Sequence, residues 1–183
     1  MAQDTLSRSL HDVGLAAWFG GTLANAVALN PASAKADSAN GTGRVANTGW
    51  NRWTPVNAAA IGAHLVGSVG ELVGNKGRIA AQEGVASMSL AKTGVTVAAL
   101  GATGYSRALG RKVAKETSVP AESATEPATT TPDGVARAQR QLRVLQWVIP
   151  ALTGALVVIS AFAGEQQRAS NVKKGVLSRF LTT

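Results

Sequence analysis

The stretch Val56–Val73, VNAAAIGAHLVGSVGELV, decides the fold class. It is apolar almost throughout and too long for an ordinary strand. Its polar residues Asn57, His64 and Glu71 recur at every seventh position, with Ser68 beside them. Residues seven apart lie two helical turns apart on nearly one face, so the stretch reads as a helix carrying one polar stripe. Three comparable stretches, Val13–Leu29, Thr93–Leu109 and Val144–Ala163, complete the set. Each approaches the roughly 20 apolar residues that a helix needs to cross a bilayer, and almost all the charge lies between and beyond them. The expected fold is all-α, an integral membrane bundle of four transmembrane helices in two antiparallel hairpins.

Working outward, residues 1–12 form an N-terminal segment without the basic start of a secretory signal. The first span (13–29) is therefore expected to be retained, with Asp12 as its N-cap and Asn30-Pro31 as its end. Residues 32–54, rich in Ala, Ser, Asn, Gly and Thr, read as a loop. It delivers Trp50 and Trp53 to the membrane interface before Pro55 opens the second span (56–73). Gly74-Asn75-Lys76-Gly77 stops that span, and the short connection Arg78–Ser89 predicts that spans two and three pair as a hairpin. The third span (93–109) is the weakest. Lys92 and Arg107 bracket 14 residues, about 21 Å of helix. Residues 111–133 read as a flexible Pro/Thr-rich linker. A long helix, 134–164, carries span four, with Trp147 at its interface and Pro150 as a kink or entry point. The tail, 165–183, is basic and amphipathic, with Lys173, Lys174 and Arg179 suited to anionic lipid headgroups or a partner protein.

Charge and composition narrow the function. The net charge is +8, but Lys and Arg collect at the ends of the apolar stretches. No basic run is interleaved with aromatics, so nucleic acid is not an expected partner. Ten cations fall in the loops between spans one–two and three–four and eight on the terminal side, a slight preference for cytoplasmic loops. The Ala- and Gly-rich, Arg-leaning composition suggests a bacterial source and hence a bacterial cytoplasmic membrane. The absence of Cys excludes disulfides, thiolate metal sites and a Cys nucleophile. There is no phosphate loop, nucleophile elbow or H-E-x-x-H, so the chain is not expected to be an enzyme.

Polar stripes recur on the other spans: His11, Trp18 and Asn25; Thr96 and Thr103; Gln146, Thr153 and Ser160. Their commonest role is hydrogen bonding between helices. Small residues at four-residue spacing (Ala59, Ala63, Gly67; Gly70, Gly74; Gly94, Ala98, Ala102; Ala151, Ala155) predict close helix packing. An ionisable residue at depth also marks a polar path, for which His64, Ser68, Glu71 and Asn57 are the candidates.

Residues His11–Gly21, HDVGLAAWFGG, have the form H-x6-W-x-G-G. This resembles the opening of one span in the copper-resistance D-like family of small membrane proteins. Those are helical bundles whose intramembrane histidines are implicated in copper or haem handling, and the resemblance makes His11 a ligand candidate. Against a site, His64 is the only further histidine. His11 lies at the membrane edge and His64 near a span centre, whereas a bis-His haem needs two rings at similar depth. No cofactor or metal is therefore expected. The favoured function is a non-catalytic accessory or scaffold subunit of a larger membrane complex, energy-transducing hosts included, partnered by other membrane subunits and anionic lipid. The alternatives are a small oligomeric channel or transporter lined by span-two polar residues, and a haem- or copper-binding membrane protein.

Overall fold

A computed structural model describes residues 2–82, 84–115, 120–165 and 168. Four long helical rods dominate, each long and apolar enough to cross a membrane. The first is compound: α1 (Ala2–Ala24), a π-helical turn (Asn25–Leu29) and α2 (Asn30–Ser33). The π turn explains how the rod passes Pro31. Proline has no N–H and crowds the preceding turn, and a local i→i+5 widening, in which Asn30 N–H donates to Asn25 O, absorbs the defect. Asn30-Pro31 therefore does not end the span. Nor is Asp12 an N-cap, because α1 begins at Ala2.

The second rod, α3 (Ala39–Gly74), has 36 residues, about 54 Å at 1.5 Å per residue. It outruns the roughly 30 Å hydrocarbon core. Ser38 caps it, accepting a hydrogen bond from Gly41 N at 3.1 Å, and the helix runs through Pro55. The expected loop 32–54 is thus helical from Ala39 onward. Its Ala, Asn and Gly content is only a weak prior against helix, and packing overrides it. Trp50 Nε1 donates to Asn30 Oδ1 at 3.0 Å, and Leu29 lies where a side chain on Gly49 would stand.

After the short α4 (Lys76–Ala81), Gly84 turns the chain with φ of 78°, a left-handed conformation natural to glycine. It leads into α5 (Val85–Ala114). Part of the expected linker is ordered: β1 (Ala121–Ser123) and β2 (Glu126–Pro127) pair as an antiparallel hairpin. Thr131 Oγ1 donates to Pro120 O at 2.5 Å, and Arg143 reaches Glu126 at 3.2 Å. The last rod, α6 (Asp133–Glu165), continues through Pro150. The tail read as amphipathic, with Lys173, Lys174 and Arg179, lies outside the described residues.

The rods pair as first with second and third with fourth. α1 packs along α3, α5 packs along α6, and α1 also rests on α6. α3 and α5, expected to form a hairpin, touch at most marginally. Long side chains link them instead: Lys92 Nζ donates to Glu71 Oε2 at 3.1 Å, and Arg107 reaches Asn51 Oδ1 at 3.5 Å. The two antiparallel hairpins are α1/α3 and α5/α6. At the far end of the second, Leu109, Val113, Val135 and Ala138 form a small core with Leu142 and Leu145. Leu6, Val66, Val69, Leu90, Val97, Val158 and Phe162 face outward. So large an apolar exterior, on four rods of spanning length, is that of an integral membrane protein.

Candidate functional site: an intramembrane histidine pair

The closest helix approach builds the site. A side chain on Gly14 would lie 2.4 Å from Ala60 O and 2.5 Å from His64 N. One on Gly67 would lie 2.3 Å from His11 N and 2.5 Å from Ser7 O. Real Cβ contacts are never this short, so α1 and α3 meet backbone to backbone because both positions are glycine. Each glycine stands three residues after a histidine, His11-Asp12-Val13-Gly14 and His64-Leu65-Val66-Gly67. In the antiparallel crossing, each histidine therefore sits over the partner helix's glycine. The twin H-x-x-G is the signal that would have found the site in the sequence.

The crossing brings the two imidazoles to 4.5 Å between centroids, tilted by 46°. Both residues are fully buried. The expectation that they lie at different depths is overturned: α1 extends well before Asp12, so His11 is inside the bundle, level with His64. Trp18, also fully buried, stands edge-on to His64 at 6.0 Å. Its Nε1 donates to Thr103 Oγ1 at 3.2 Å, which ties α1 to α5.

Hydrogen bonding fixes both tautomers. His11 Nδ1 donates to the Asp12 carboxylate at 2.7 Å, and His64 Nδ1 donates to the His11 carbonyl at 3.4 Å. A neutral imidazole so bonded keeps its lone pair on Nε2. Both Nε2 atoms are buried and have no hydrogen-bond partner. Buried polar atoms are nearly always satisfied, so two adjacent orphans in one site are exceptional.

The donor set separates the candidate ligands. A haem clasped by two histidines needs its macrocycle between the rings, and centroids 4.5 Å apart leave no slot for it. A structural zinc ion takes four protein ligands, and no group of three or more His, Cys, Asp or Glu is gathered among the described residues. Two imidazoles, one oriented by a carboxylate, are a donor set that a copper ion in its low-coordinate form can use.

The other sequence candidates are dispersed. Ser68 Oγ donates to His64 O on its own helix at 2.8 Å. Glu71 sits at the end of α3, paired with Lys92 at 3.1 Å and Arg8 at 3.9 Å. Asn57 faces a cavity almost two turns away from His64, so these four do not line one path. Trp50 and Trp53 are not on an exposed loop: both line that cavity, while Trp147 is half exposed. Ala98, Ala151 and Ala155 face outward, so the small-residue faces predicted on α5 and α6 are not those used within the bundle. Comparison with known proteins returns no matching family model, no matching curated protein and no matching solved structure.

Proposed function

We propose that this chain is a non-catalytic membrane protein that holds a monovalent copper ion between His11 and His64. The observation that carries the reading is the pair of fully buried imidazoles whose Nε2 atoms both lack a partner. Their Nδ1 atoms are committed elsewhere. The resemblance of residues 11–21 to the copper-resistance D-like proteins favours the same metal. The ion would take the two Nε2 lone pairs, Asp12 would hold His11 in the ligating tautomer, and the bundle would exclude water and competing hard ligands.

The test is metal analysis of protein purified in mild detergent under reducing conditions and titrated with monovalent copper against a competing chelator. One equivalent per chain is expected, lost in both His11→Ala and His64→Ala. Wild-type protein that takes up no copper, or a His64→Ala variant that retains it, overturns the reading.

A second reading is supported by α5. Gly94, Gly101 and Gly104 have nothing within 4 Å of where a side chain would stand, and Leu90, Val97 and Tyr105 beside them are exposed. Such a face suits another transmembrane helix, and a subunit role in a larger membrane complex is compatible with metal holding. Native gels of a mild-detergent extract test it. Migration only as a monomer counts against it.

A further inference from the structure

α3 and α5 touch at most marginally, and between them lies a cavity of about 330 Å³, within the range of small-molecule sites. α1 and α6 form its floor, and the turn between β1 and β2 closes one end. Its depth in the bilayer follows from where the apolar stretches stop. They stop at Leu29 on the first rod, at Arg107 on α5 and at Val144 on α6. Hydrogen bonds join these ends. Asn30 donates to Gln146 Oε1 at 2.7 Å and accepts from Trp50 Nε1, and Arg107 reaches Asn51 next to Trp50. That polar level is the membrane interface, where Trp belongs, and the cavity runs inward from it.

Inward of the interface the lining is apolar in effect. Ile61, Leu100 and Ile149 present hydrocarbon there. The polar side chains at this depth have their polar atoms committed or turned away. Thr22 Oγ1 donates to Trp18 O at 2.8 Å, Thr54 Oγ1 donates to Trp50 O at 2.7 Å, and Thr103 Oγ1 accepts from Trp18 Nε1. Trp53 Nε1 and Asn57 Oδ1 are buried away from the cavity surface. At the interface the polar groups are open instead. Asn51 is exposed, and Asn47 and Arg107 are partly so. Arg107 is the one charged residue in the lining, and its guanidinium has only 3.5 Å contacts to Asn51 Oδ1 among the described residues. Arg111 follows one turn along the same face of α5, and Arg44 precedes Asn51 by two turns on α3. Both are exposed, and neither forms an ion pair among the described residues.

We infer that this cavity seats one anionic phospholipid, with its phosphate at Arg107 and one acyl chain running inward between Ile61 and Leu100. The rest of the lipid stays in the bilayer, reached through the gap between α3 and α5. The division of the lining selects an amphiphile. A soluble anion has no use for the apolar inner half, and a wholly apolar molecule leaves the guanidinium unmet. Charge complementarity selects a net negative headgroup. Against Arg44, Arg107 and Arg111 the hairpin sets two carboxylates, and Glu126 is already paired with Arg143 at 3.2 Å. The Asn47 and Asn51 amides add donors for the phosphate oxygens. Neither histidine takes part.

The experiment is native mass spectrometry of the full chain released from detergent micelles, titrated with phosphatidylglycerol or with phosphatidylcholine of the same chains. One phosphatidylglycerol per chain should be retained, about five- to tenfold more tightly than phosphatidylcholine. Arg107→Gln should remove that preference and leave phosphatidylcholine binding unchanged. Gly104→Leu should abolish the tight equivalent of either lipid, since Gly104 lines the inner half and its Cβ has open space. Arg137→Gln, an exposed arginine of α6 outside the lining, should change nothing, which separates a site from general attraction of lipid to a basic protein. The absence of a preference for phosphatidylglycerol, its survival in Arg107→Gln, or an equal loss in Arg137→Gln overturns the inference. So does glycerol phosphate that displaces the lipid as well as phosphatidylglycerol does, because the site would then be one for a soluble anion.

Discussion

Substituting Gly67 by alanine tests the histidine site through the packing that creates it. The new Cβ would lie 2.3 Å from His11 N and 2.5 Å from Ser7 O. To reach an ordinary contact near 3.4 Å, α1 and α3 must separate by about 1 Å. Overpacking of this kind costs about 1–3 kcal/mol. The control is Gly62→Ala on the same helix, where nothing lies within 4 Å. There alanine gains up to about 1 kcal/mol of helix propensity. Gly67→Ala shares that gain, so the two variants should differ by the overpacking cost alone, about 1–3 kcal/mol, which at about 2–4 °C per kcal/mol separates their unfolding midpoints by roughly 2–12 °C. The clash is with backbone, so adding His11→Ala should not restore Gly67→Ala. At Gly70 the obstruction is the Ser7 side chain, with Oγ at 2.2 Å and Cβ at 2.8 Å. Ser7→Gly should therefore rescue Gly70→Ala. Thermal unfolding in detergent, followed by circular dichroism, reads all five variants. If Gly67→Ala melts with Gly62→Ala, or if His11→Ala rescues it, the close crossing is wrong and the histidines are not held together as described.

Three further outcomes follow from other contacts. Asp12→Asn should lower copper affinity about three- to tenfold in the chelator titration. That is the weak end of what outer carboxylates contribute, because the Asp12 side chain is 58% exposed. Glu71→Gln strips the partner from Lys92, whose side chain is only 17% exposed. It should cost about 1–2 kcal/mol in thermal unfolding, less than a fully buried broken pair, and Lys92→Met added to it should recover most of the loss. Gly84→Ala forces a Cβ into the left-handed region and should destabilise by about 1 kcal/mol, read as a lower midpoint with copper binding unchanged.

Helix existence was legible in the sequence because apolar length and the seven-residue polar spacing are properties of one segment. Helix extent was not. Composition made residues 32–54 look like a loop, whereas Ser38 capping and the packing of Trp50 and Leu29 hold Ala39 onward in α3. Chain adjacency allowed α3 to pair with either neighbouring rod, and the short connection 78–89 pointed to α5. Surface fit decides between them: glycines 14, 67 and 70 give α3 its close contact with α1. Small residues at four-residue spacing on α5 and α6 did not mark the faces used within the bundle, because Gly94, Ala98, Ala151 and Ala155 face outward.

The sequence by itself determined an all-α chain with four membrane-spanning helices and a polar stripe on each. Hydrophobic length and periodicity are local, so no neighbour was needed to read them. Only the tertiary structure decided that His11 and His64 meet. A residue's depth depends on where its helix begins, and α1 begins at Ala2 rather than after Asp12. The register between two helices belongs to neither one alone. Here it is set where two glycine backbones come into contact, and each glycine follows a histidine by three residues.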